Sequence, residues 1–187
     1  MNIKKIETGF LKENCYILIK NNNALIVDPG DDYNLISDEI NDYNIVGILI
    51  THAHFDHVGA LPELIKKYNV PIYYNNVNNE ITYDNVINIK EKKYNINDFN
   101  FEVIYTKGHR NDLCTFYFYD EKIMLTGDFL FKETVGRTDL EYGNLNEMKE
   151  SIKKIKKYDN DIVIYPGHGE KTTLGYEKEN NEYFNME

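Results

Sequence analysis

Cysteine is nearly missing from this chain of 187 residues: Cys15 and Cys114 are the two it has. That count excludes a disulfide framework, and a reducing, cytoplasmic setting is the expectation. No stretch approaches the roughly 20 apolar residues that span a bilayer, so no membrane partner is expected. The start, MNIKKIETGF, has no long apolar run behind its lysines and does not read as an export signal. Positive charge is also scarce, with 21 Lys and Arg against 31 Asp and Glu, a net −10 at neutral pH. Nucleic acid needs a basic face, so it is not an expected partner, and anionic lipid is not attracted either. Arginine is confined to Arg110 and Arg137.

What is present reads as a globular fold. The hydrophobic share of 42% and aromatic share of 13% argue against disorder. The length fits one domain over residues 1–187, with no internal repeat and no dividing linker. Strands are expected at Asn2–Glu7, Cys15–Lys20 and Ala24–Asp28, with a turn at Asn21–Asn23, because Asn tolerates positive φ. Val46–Ile50 is a near-continuous apolar run, the pattern of a strand buried on both faces. Helices are expected over Tyr33–Asp42 and Val58–Tyr68, each with one apolar face. Asn75–Asn79 reads as a loop. Further strands are expected at Glu102–Thr106, Leu113–Tyr119, Lys122–Thr126 and Ile162–Tyr165. A helix should start at Asn144, with Glu147 completing a capping box. This order points to a layered α/β fold.

The five histidines carry the chemistry. His52, His54 and His57 share the run Thr51-His-Ala-His-Phe-Asp-His57, His109 follows Gly108, and His168 lies between two glycines. Each cluster follows an expected apolar strand, where α/β folds place ligands. His52 and His54, two apart, point the same way in extended backbone. Four ligand-type side chains in six residues crowd a single tetrahedral ion. They fit two half-sites for neighbouring metals, with His109 and His168 completing them. Asp128, at a glycine turn after a strand, is the candidate bridge, because a carboxylate has two oxygens. Asp56 read alone would be a helix N-cap. Cys15 and Cys114, in or beside strands, read as small packed apolar groups rather than nucleophiles.

The H-x-H-x-D-H run, the later Gly-His, Gly127-Asp128 and Gly167-His168-Gly169, in that order, resemble the metallo-β-lactamase superfamily. The likeness runs from Asn14-Cys15-Tyr16 to Thr172-Thr173-Leu174-Gly175. It implies an αβ/βα sandwich with metals at the edge of the inner sheets. It also implies His52, His54 and His109 on one metal, Asp56, His57 and His168 on the other, and Asp128 bridging. Asp56 and Asp128 are then the catalytic carboxylates, and Asp28 matches an acidic residue that braces the metal loop. Gly127–Phe131, Val135–Asp139 and Pro166–Gly169 are similar to the short glyoxalase II-type hydrolases, which act on thioesters such as S-lactoylglutathione. Two divalent cations, zinc first and iron or manganese as alternatives, would bear a bridging hydroxide that attacks the carbonyl of a small-molecule substrate.

Two departures stand out. Arg110-Asn111-Asp112-Leu113 replaces the Thr-Pro-Gly-Ser that many members carry after the histidine. The chain also ends soon after His168, so the helical domain that binds glutathione in long glyoxalase II is not expected. Arg110 could meet an acidic part of a substrate, and Arg137 could do so or brace a loop through Asp139. The main alternative is a persulfide dioxygenase of the same superfamily with one iron, since two histidines and a carboxylate suit iron oxygenation. A lactonase or another ester hydrolase is the further alternative.

Overall fold

The computed structural model describes residues 1–185. The first half of the chain builds one sheet, in the order β1 (Asn2–Thr8), β2 (Glu13–Lys20), β3 (Asn23–Val27), β4 (Asn44–Ile50), β5 (Ile72–Tyr74) and β6 (Val86–Asn88). Helices α1 (Tyr33–Ile40), α2 (Phe55–Val58) and α3 (Leu61–Tyr68) connect its parallel strands. The second half builds the other sheet from β7 (Lys93–Ile96), β8 (Phe99–Tyr105), β9 (Cys114–Phe118), β10 (Ile123–Gly127), β13 (Val163–Pro166) and β14 (Thr172–Thr173). A small hairpin, β11 (Leu130–Phe131) and β12 (Thr134–Val135), and helix α4 (Leu145–Ile155) lie between β10 and β13, and α5 (Leu174–Asn180) follows β14.

Three apolar cores make this a four-layer αβ/βα sandwich. Along β2, Ile17 and Ile19 face α1 and α3, while Tyr16 and Leu18 face the second sheet. β4 divides likewise, Ile48 and Ile50 outward and Leu49 inward. Both faces of these strands are covered, which is why they read as unbroken apolar runs. Phe99, Phe101, Phe116 and Phe118 fill the gap between the sheets. Met148, Ile152 and Ile155 of α4 close the far side against Met124 and Ile164. Cys15 and Cys114 are free, fully buried thiols inside these cores. No helix among the described residues is long and apolar enough to cross a membrane.

Several boundaries differ from the sequence expectation, each for a local reason. The Asn turn forms with Asn21 and Asn22 at φ 49° and 69°, which joins β2 to β3 with the twist a tight hairpin needs. The helix expected over Val58–Tyr68 is instead two, α2 and α3. A Cβ on Gly59 would sit 2.2 Å from the Gly30 carbonyl oxygen, so this break lets the chain lie against the Asp28–Gly30 loop. Pro62 then opens α3, where a missing N–H costs nothing. Asn144 caps α4, its Oδ1 accepting from Asn146 N at 2.9 Å and Glu147 N at 3.2 Å. Strands β5, β6, β7, β11, β12 and β14 and helix α5 were not expected.

Candidate metal centre

All the site histidines lie beyond the C-terminal ends of strands, on one edge of the sandwich. His52, His54 and His57 follow β4, His109 follows β8, Asp128 follows β10 and His168 follows β13. Turns at Gly127 (φ 49°) and Gly108 (φ 138°) bring Asp128 and His109 back over the sheet edge, conformations that favour glycine.

The seven side chains converge as two groups. In the first, His54 Nδ1 lies 3.1 Å from His52 Nε2 and 2.9 Å from His109 Nε2. In the second, Asp56 Oδ2 lies 3.3 Å from His168 Nε2 and 3.9 Å from His57 Nε2. Asp128 stands between them, one oxygen to each. Its Oδ2 is 3.6 Å from His109 Nε2 and 4.0 Å from His52 Nε2. Its Oδ1 is 3.3 Å from His57 Nε2 and 3.7 Å from His168 Nε2.

The back of four of the five rings is held, which turns the other nitrogen toward the centre. His109 Nδ1–H donates to the Arg137 carbonyl at 2.7 Å, His57 Nδ1–H to Asp28 Oδ2 at 3.0 Å, and His168 Nδ1–H to the Leu11 carbonyl at 3.2 Å. The Thr51 hydroxyl donates to Asp28 Oδ2 at 2.6 Å and so receives His52 Nδ1–H, 3.1 Å away. These contacts orient the four rings and aim their Nε2 atoms inward, as the outer partners of metal-bound histidines do. His57 Nε2 and Asp128 Oδ1 are buried and have no hydrogen-bond partner. Such orphaned atoms are costly, and a cation between them satisfies both. The residues present therefore fit a pair of divalent ions, and His and Asp ligands suit zinc, iron and manganese alike.

The charge states sort by group. Burial holds His52 well below the usual imidazole value, and the neighbouring His57, His109 and His54 rings push the same way. Burial, then His109, brings His54 to about 4. Burial also lowers His109. These rings are neutral at pH 7, with lone pairs available. In the second group burial opposes charge, but Asp128 and Asp28 outweigh it and raise His57, and Asp56 and Asp128 raise His168. Burial likewise opposes the Asp128 carboxylate, yet the His57 imidazole and its neighbours bring it down to about 2. Without metal, the protons of the centre sit in the second group.

Three residues missed in the sequence support the site. Glu13 is a fully buried carboxyl that accepts from Thr8 Oγ1 at 2.9 Å and stands 3.8 Å from His57 Nδ1. Thr51 relays Asp28 to His52. Asp112 accepts from the Ala53 amide at 3.0 Å. The two arginines are placed differently from each other. Arg110 is 5% exposed and tied to Asp112 and Glu80, so its guanidinium is occupied within the protein rather than turned to a substrate. Arg137 is exposed and its fork grips Asp139 at 2.8 and 2.9 Å, the loop-bracing alternative in geometric terms. On the rim, exposed Phe10 and Phe55 stack at 6.4 Å beside a cavity of about 230 Å³ that reaches Asp56.

Two facing six-stranded sheets with helices outside, and a His–Asp cluster on one edge, define a class of metal-centred sandwich. The metallo-beta-lactamase superfamily profile matches residues 8–168, and the chain belongs to that superfamily. It is 34% identical to an Aquifex aeolicus protein, with 98% of this chain and 97% of that one covered. It is 30% identical to hydroxyacylglutathione hydrolase GloC of Haemophilus influenzae over 99% of both chains. It is 31% identical to a probable metallo-hydrolase, YqgX, of Bacillus subtilis, over 99% of this chain and 98% of that one. Among solved structures, the BLEG-1 B3 metallo-beta-lactamase superposes with a TM-score of 0.90 at 28% identity, covering 99% of this chain and 100% of that one. TTHA1623, crystallised in a di-iron-bound form, gives 0.84 at 27% identity, covering 96% and 99%.

Proposed function

We propose that this chain is a dinuclear metal-dependent hydrolase that cleaves a small-molecule thioester, with His52, His54 and His109 on one ion and Asp56, His57 and His168 on the other. One observation carries the reading: the Asp128 carboxylate presents Oδ2 to the first group and Oδ1 to the second. A carboxylate so placed would offer one oxygen to each of two cations. Two bound cations would supply a water of lowered pKa and polarise the acyl carbonyl. Asp128 would keep the two ions in place, and Asp56, 14% exposed at its side chain, would be the carboxylate that takes up a proton. Phe10 and Phe55 offer an apolar wall to the acyl or thiol chain.

Full-length similarity to the hydroxyacylglutathione hydrolase GloC supports the thioester as substrate class. The long hydroxyacylglutathione hydrolase of Francisella tularensis subsp. novicida is 33% identical, but the match covers 82% of this chain and 61% of that one. Glutathione is therefore one thiol for the panel and not assumed. Asp56, His57 and His168 offer a second ion three ligand atoms, whereas a persulfide dioxygenase uses one iron, and the metal count and oxygen uptake separate the two readings. The ETHE1 structure, at 21% identity and a TM-score of 0.85, shares the fold.

The test is elemental analysis of protein purified without chelator, followed by a panel of acyl thioesters, lactones and a persulfide with an oxygen electrode. About two ions per chain and thioester cleavage, both lost in Asp128→Ala, is the expected result. One iron per chain with oxygen uptake on the persulfide would overturn the reading, as would cleavage of lactones alone.

A further inference from the structure

Asp112 belongs to neither group of ligands, yet it is fully buried and saturated with donors. Its Oδ1 accepts from Arg110 Nε at 2.9 Å. Its Oδ2 accepts from the Ala53 amide at 3.0 Å and from the Tyr74 hydroxyl at 2.5 Å. Its backbone carbonyl receives Asn75 Nδ2 at 3.0 Å. Arg110 reaches on to Glu80, with its guanidinium 5.3 Å from the ring centre of Tyr142.

The chain positions matter. Ala53 is the residue between His52 and His54, and Arg110 is the residue after His109. One carboxylate thus grips, with one oxygen each, the two segments that carry all three imidazoles of the first group. Nothing in this network touches Asp56, His57 or His168. The segment that supplies it, Arg110-Asn111-Asp112-Leu113, is where this chain departs from the Thr-Pro-Gly-Ser pattern. The departure therefore brings its own support for the ligand loop.

We propose that Asp112, held by Arg110 and Tyr74, is a positioning residue that sets the spacing of His52, His54 and His109, and so tunes cation affinity in the first group without altering the second. The proposal rests on the two-ion reading above. A merely structural ion pair predicts something else. Breaking it would leave a buried charge unpaired and loosen the whole fold, so both groups would weaken together.

The experiment is a cobalt(II) titration of chelator-stripped protein, read by visible absorption and by competition with a chelating dye. Wild type, Asp112→Asn and the double variant R110M/D112N are compared. The double variant keeps the test open if the single one folds poorly, because it leaves no unpaired charge in the core. The expected result is two binding steps in wild type. In both variants the affinity of the first-group step falls about 10–100-fold, the range for lost outer-shell support, its absorption band shifts, and the other step changes by less than about twofold. Two unchanged steps in the variants would overturn this proposal alone, and so would equal loss in both steps. No cobalt uptake by wild type would overturn the two-ion reading and this proposal with it.

Discussion

Replacing Asp28 with Asn should weaken the second group more than the first, because His57 contacts Asp28 directly while His52 is reached through Thr51, at a cost to stability that can be worked bond by bond. Asp28 is 2% exposed and sits at φ 48°, a region that Asn also tolerates, so the backbone keeps its shape. The carboxylate accepts three bonds: Thr51 N at 2.7 Å, Thr51 Oγ1 at 2.6 Å and His57 Nδ1 at 3.0 Å. Hydrogen bonds to a charged group contribute about 1.5–3 kcal/mol each, and neutral ones about 1. Asn retains one acceptor for Thr51 N, and the Thr51 hydroxyl can turn to accept from the new amide. His57 Nδ1–H then faces an amide donor. Three charged contacts contribute about 4.5–9 kcal/mol and the two neutral ones left to Asn about 2, so the net loss is about 2.5–7 kcal/mol in the metal-free protein, a range that spans the cost of breaking a buried charged contact. His57 escapes the clash by losing its Nδ1 proton and keeping the one on Nε2, the atom that faces Asp128, and this opposes cation binding there. Urea unfolding of the metal-free protein gives the first quantity, and a metal competition titration gives the second, an expected loss of about 10–100-fold in the second group. A stability loss under about 1 kcal/mol, with both binding steps intact, would refute the bracing role of Asp28.

Gly167→Ala should damage the same group from the other side. A Cβ there would lie 2.4 Å from Asp128 Oδ1 and 2.7 Å from His57 Cε1, so metal content should fall in elemental analysis, and a fully loaded variant would contradict the geometry. Arg137→Ala should leave melting temperature and metal content unchanged, because its side chain makes an exposed pair with Asp139 while His109 is held by the Arg137 backbone carbonyl; loss of metal would show that the side chain matters. Acidification should release the second-group cation first. His57 and His168 have raised pKa values and must give up protons to bind, whereas His52, His54 and His109, all lowered, are already neutral. Metal affinity followed from pH 7.5 down to about 5.5, across the ordinary imidazole value, should therefore drop more steeply in the second group; the reverse order would refute the charge assignment.

The histidines and aspartates that converge on one edge were legible because they are punctuation. Each follows an apolar run, and a histidine or aspartate at the end of a buried strand is not explained by packing. A layered α/β order was legible for a related reason, since the unbroken apolar run of β4 implies cover on both faces, while the four-layer sandwich came from the family resemblance. The edges were not. β5 and β6 are three residues each, and β6 is half exposed with an asparagine in it. Such strands exist through pairing with a neighbour and have no periodicity of their own. The split between α2 and α3 depends on Gly59 meeting the Gly30 carbonyl, a tertiary contact that an apolar helical stripe conceals. The second circle of the site fails for the same reason. The resemblance pointed to Asp28 as a brace, but nothing marked Asp112, which reaches back 59 residues to Ala53. An aspartate in a loop carries no local mark that separates a buried clamp from a solvated turn. Only its surroundings make the difference, and four partners around Asp112 and its carbonyl, three of them buried, are what turn an irregular stretch after His109 into part of the machinery.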